Sequence, residues 1–243
     1  MSTSPGATRR TARRVGEVVA PARLGRDFRW LLSSVWTGNL GDGLAIAAGP
    51  LLVAQQTDSP FLIALAATLQ WLPKLLFALP AGVVTDRLDR RSLVIGVDVV
   101  RVMVLGLLVA SIGTGTVSIG VVLVALFLLG TAETFADNAS GTLLPMLVHR
   151  DDLAVGNARI QTGFITVNQL AGPPLGAALF AAGTSMPFVA QGVLLLAAVA
   201  TIALIRRSET ALAVDISQRL ESKVAFETEV VPGAAQRERR TAR

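Results

Sequence analysis

The chain has 243 residues, of which 52% are hydrophobic and only 16% charged, with a formal net charge of +5. That balance points to the membrane class before any motif is read. There is no cysteine and a single histidine, His149, which excludes a disulfide, a thiolate nucleophile, a zinc–thiolate site and a histidine cluster. With no Walker lysine motif either, no enzyme activity, cofactor or metal site is expected.

Positive charge crowds the start of the chain, at Arg9, Arg10, Arg13, Arg14, Arg23, Arg26 and Arg29. A nucleic-acid arm and a transit peptide are the alternatives for such a tail. An apolar span follows at once, so residues 1–29 read as a cytoplasmic tail that fixes topology, and no nucleic-acid partner is expected. The tail has no apolar core of its own and does not read as a signal peptide.

A bilayer span needs about 20 mostly apolar residues. Six segments qualify, at approximately 30–54, 60–84, 92–112, 117–139, 158–182 and 186–205. They should be helices, because a helix satisfies its own backbone in lipid. The connections alternate in charge. Residues 55–59 carry only Asp58, and 113–116 and 183–185 carry none. The 85–91 turn holds three arginines, the 148–159 loop holds His149, Arg150 and Arg159, and the sixth segment ends on Arg206 and Arg207. Both termini are therefore placed in the cytoplasm. Residues 30–207 form the predicted membrane domain of an all-α protein in the cytoplasmic cell membrane, with the lipid bilayer as its first partner. Residues 208–243 are a polar cytoplasmic tail, partly disordered, with helical apolar spacing over 211–224.

Within the spans, Asp42 lies about 18 Å deep and Lys74 at a similar depth. A charge there costs about 2.5–3.5 kcal/mol on insertion scales, so neither should face lipid, and an Asp42–Lys74 pair would lower the cost of both. Asp42 can serve proton coupling or be a buried packing contact. Glu133 and Asp137 are four apart on one helix face. Two carboxylates this close repel, which suits a proton relay or a cationic substrate, with pairing to Arg101 or Arg159 as the structural alternative. Asp98 and Arg101, three apart, most simply pair with each other. Asn39, Gln70, Asn168 and Gln169 are candidates to line a cavity. Phe77, Phe127, Phe135 and Phe164 either offer apolar contact to a ligand or simply pack.

The run 82–91, Gly-Val-Val-Thr-Asp-Arg-Leu-Asp-Arg-Arg, resembles the signature turn between the second and third helices of the major facilitator superfamily. Gly82, Asp86, Arg87, Arg90 and Arg91 match that pattern, and Asp89 replaces its second glycine. Asn39-Leu40-Gly41-Asp42-Gly43, Asn138-Ala139 and Leu144-Pro145 resemble the drug-efflux branch related to macrolide exporters. Gly172-Pro173-Pro174-Leu175-Gly176 resembles the antiporter motif in the fifth helix, with Ala177 in place of its last glycine. The resemblance implies half of a twelve-helix transporter: six helices arranged as two inverted three-helix repeats, with a small-molecule site near the midplane. It implies proton-coupled efflux of an amphipathic, drug-like compound and drug resistance as its consequence. The proton gradient is then the energy source. The 82–91 turn becomes a gate, and the proline pair a kink. It also implies a second six-helix half or a homodimer as partner. The other reading is a truncated, non-transporting half or a membrane interaction subunit.

Overall fold

The computed structural model describes residues 22–205, all helices and their connections. The bulk of the Arg-rich tail and all of the polar tail, with its expected helix at 211–224, lie outside the described residues. A 3-10 turn (Ala22–Leu24) leads into α1 (Gly25–Ala54), followed by α2 (Pro60–Arg87), α3 (Arg90–Gly113) and α4 (Ile119–Leu147). A second 3-10 turn (Arg150–Asp152) opens α5 (Leu153–Gly163). A π-helical stretch (Phe164–Ala171) joins it to α6 (Gly172–Ala182), and α7 (Met186–Ala203) completes the bundle.

Local signals set these boundaries. Asp89 caps α3 by accepting from the Ser92 amide at 3.0 Å. Ser118 does the same for α4. Prolines occupy the first turns of α2, α6 and α7, where a missing N–H costs nothing. Gly115, at φ 69°, reverses the chain after α3 in the left-handed conformation that glycine adopts freely.

Four helices, α2, α3, α4 and α7, are long and apolar enough to cross a membrane. The first and fifth expected segments take another form. α1 is a 30-residue helix carrying Ser34, Asn39 and Asp42, and it buries all three. It packs against α7, α6, the π stretch, α2, α4 and α5, so its polar side chains meet protein rather than lipid. The fifth segment is broken into α5, the π stretch and α6. Pro173 and Pro174 lack amide hydrogens, and the ladder ahead of them widens to the π pattern: the Gly172 amide reaches back to Val167 O.

The buried apolar residues form two cores. The first gathers Leu52, Leu105, Leu108, Leu126 and Phe188. The second gathers Phe28, Leu31, Val94, Leu144 and Ile202. On α1, α3 and α4, Asp42, Asp98, Arg101, Glu133 and Asp137 lie between the positions given to the two cores. Successive passes run in alternate directions between them. The 87–90 turn and the Arg150 turn fall at the second-core end, and the nearly uncharged connections at the first-core end. The outer surface is apolar, with Leu75 81% and Leu79 85% exposed on α2. This is the surface of a chain whose solvent is lipid.

Candidate functional site

Asp42, Asp98 and Arg101 meet inside the bundle. Arg101 Nη1 donates to Asp98 Oδ1 at 3.1 Å, and Nη2 donates to Asp42 Oδ1. From α7, Gln191 Nε2 donates to the same Asp42 oxygen at 3.1 Å. Arg101 is 3% exposed and Asp42 8%. Charges this deep are held only when paired and hydrogen-bonded. The expected Asp42–Lys74 pair does not form. A guanidinium presents five donors in a planar fork, so Arg101 serves the carboxylate one turn back and the one on α1 together.

Lys74 turns instead to α4. Its Nζ donates to Glu133 Oε1 at 2.8 Å and lies 3.5 Å from Asp137 Oδ2. Glu133 and Asp137 thus share the face turned to α2, and neither pairs with Arg101 or Arg159. The ammonium also sits 5.1 Å from the centre of the Trp71 ring and 5.6 Å from that of Phe164, within cation–π range. This cluster is more open: the Asp137 side chain is 49% exposed.

Two cavities border these groups, and Lys74 lines both. The smaller, about 20 Å³, is lined by Asp42, Gln70, Arg101, Glu133, Asn168 and Gln191 among others. The larger, about 260 Å³, is lined by Asn39, Asp137, Ser140, Gln161 and Phe164. Asn39 also donates to Val35 O. Of the other candidates, Gln169 is exposed. Phe77 packs edge-on against Phe127, with ring centres 6.3 Å apart.

The glycine–proline segment crosses α1 backbone to backbone. A Cβ on Gly43 would lie 2.5 Å from Asn168 O and 2.9 Å from Gly172 Cα, and one on Gly172 or Gly176 would overlap the backbone of Gly43 or Leu44. This crossing places Asn168, on the π stretch, against α1. The 82–91 turn behaves differently. A Cβ on Gly82 would meet nothing within 4 Å, so no neighbouring helix approaches closely there among the described residues. The Asp86 side chain lies outside those described, and Arg87 is exposed. Arg91 bonds the last carbonyls of α7, with Nε to Ile202 O at 3.2 Å and Nη2 to Ala203 O at 2.6 Å. Arg90 Nη1 lies 3.1 Å from Met146 Sδ. Asp89, the departure from the signature pattern, has a local task as the α3 cap.

The family model of the Major Facilitator Superfamily matches residues 31–239. The chain belongs to that superfamily. No curated protein matches it. Superfamily members are transporters rather than enzymes, and the match together with the four apolar helices makes this chain a multi-pass transmembrane transporter. Within this superfamily member, sequence reasoning missed Gln191, which bonds Asp42. Its signal was present: it is the lone amide in the apolar run 186–203. Gly43 was also missed as a contact residue. Its signal is the pair of glycines flanking Asp42.

Proposed function

We propose that this transporter exports an amphipathic, drug-like small molecule in exchange for protons, by alternating access, from the cytoplasmic side of the cell membrane. The observation that carries the reading is the buried Asp42, held by Arg101 and Gln191 at the edge of the smaller cavity. Ionised, Asp42 ties α1 to α3 and α7. Protonated, it no longer attracts the guanidinium, and Arg101 keeps only Asp98. One proton thus loosens the contact between passes of the bundle. The larger cavity offers Phe164 to an apolar body and Asn39, Gln161 and Asp137 to polar or cationic groups.

In this reading the six helical passes are six membrane spans in two inverted repeats, and both termini are cytoplasmic, because Arg23, Arg87, Arg90, Arg91 and Arg150 gather at one end. Gly82, Asp86, Arg87, Arg90 and Arg91 form the gate. Gly172, Pro173, Pro174 and Gly176 set the tight crossing with α1. Asp42→Asn tests the coupling. In proteoliposomes carrying the active assembly and an imposed proton gradient, uphill export of a fluorescent amphipathic dye should stop while downhill flux persists. Uphill export at the wild-type rate would refute it.

A second reading rests on α2, whose face carrying Leu75 and Leu79 is open and apolar beside the uncontacted Gly82. That face suits a second six-helix unit or a second copy of this chain, without which the bundle does not transport. Crosslinking from cysteines introduced at Leu75 and Leu79 in membranes distinguishes the two: only uncrosslinked chains together with dye export would reject the partner.

A further inference from the structure

Three buried polar atoms around the smaller cavity have no hydrogen-bond partner among the described residues: Arg101 Nε, Asn168 Oδ1 and Gln191 Oε1. Their residues are 3%, 2% and 2% exposed, so bulk solvent does not reach them. Buried polar atoms of this kind are costly to leave unsatisfied and are rarely left so. The orientation of the Gln191 amide is fixed by its Nε2 bond to Asp42, which leaves the oxygen as the free atom.

We propose that this cavity binds a single water molecule that carries protons between Glu133 and Asp42. The space, about 20 Å³, holds one water and little more. The donor set fits that ligand: a water accepts from Arg101 N–H and donates to the two amide oxygens, three bonds in all, the usual number for an internal water. A metal ion suits the set poorly, since the guanidinium presents a donor and a positive charge to the same space. An apolar guest would leave all three atoms unsatisfied.

Glu133 and Asp42 both line the cavity, on α4 and α1. When Glu133 is protonated, its O–H bond breaks as the proton joins the water. The water turns and gives up a proton to an Asp42 oxygen, forming the carboxylic acid there, and the water is restored. Arg101 keeps its own protons throughout. The charged groups that bear on Asp42 are Asp98 and Arg101 from α3, Glu133 and Asp137 from α4 and Lys74 from α2. The Glu133 end is the more open one, because Lys74 joins it to Asp137 at the larger cavity. The water is therefore the link between an accessible carboxylate pair and a buried one. The relay role rests on the proposed coupling at Asp42; the water site does not.

The full chain in lipid nanodiscs tests both parts without a transport substrate. Radiolytic hydroxyl-radical labelling reports water bound beside a side chain. Leu126, which lines the cavity and is 1% exposed, should label several-fold faster than Leu52, equally buried but elsewhere in the first core. Equal labelling of the two would overturn the site. For the relay, infrared detection of the Asp42 carboxylic acid band, assigned with Asp42→Asn, follows protonation after a pH jump. Asn168→Leu, or the smaller Asn168→Val if the first fails to fold, should slow that step roughly 100-fold. An unchanged rate in a folded variant would overturn the relay and leave the water purely structural. Neither result depends on dye export, so failure here is separable from failure of the export reading.

Discussion

The Asp42–Arg101–Asp98 centre and the Lys74–Glu133–Asp137 centre each set two carboxylates around one base, but they differ in burial and in the base. The first is sealed between α1, α3 and α7, where Arg101 satisfies two carboxylates through separate nitrogens of one rigid fork. The second is half open, and Lys74, a flexible point charge, shares itself between two carboxylates and two aromatic rings. Sealing makes a centre costly to break. Openness makes it easy to exchange a partner for solvent or ligand. In the proposed export cycle the sealed centre holds the passes together and the open one meets the cargo.

Removing each base is the strongest way to break this contrast. Arg101→Ala strands two buried carboxylates and should cost about 3–5 kcal/mol. Lys74→Ala leaves carboxylates that are less buried, Asp137 above all, and should cost about 1.5–3 kcal/mol. Denaturant unfolding of the detergent-solubilised chain measures both, and equal losses would mean that burial does not separate the centres. The glycines give a sharper, smaller version of the test. Gly43→Ala drives a methyl against the backbone of Asn168 and Gly172 and should cost about 1–3 kcal/mol. Gly82→Ala enters open space and should be neutral, or stabilising by about 0.5–1 kcal/mol, because alanine suits a helix better than glycine. A comparable loss at Gly82 would mean that a contact forms there. Asp89→Ala removes the α3 cap and should cost about 1 kcal/mol. Restoration by Asp89→Ser would show that capping, rather than charge, is what the turn requires there.

The Asp42 partner shows where sequence reasoning stopped. Depth alone says that Asp42 and Lys74 each need a counter-charge, and both do have one. Which charges meet depends on helix rotation and crossing, and these follow from packing between residues far apart in sequence. Asp98 and Arg101 were legible as a pair because one helical turn separates them. The third member, 59 residues away, was not. Gln191 is a similar case: an amide in an apolar run announces a buried partner without naming it.

The sequence motifs resemble the superfamily, and sequence by itself determined the membrane class, the approximate positions of the helical segments and the residues that must avoid lipid. Each of these follows from local quantities: apolar length, charge placement and turn chemistry. Only the tertiary structure decided that α1 is enclosed, that the fifth segment breaks into α5, a π stretch and α6, and that Arg101 rather than Lys74 holds Asp42. The physical reason is that a buried charge takes the donor that packing brings within reach. Here a backbone-to-backbone crossing at Gly43, Gly172 and Gly176 sets what packs against the Asp42 segment of α1.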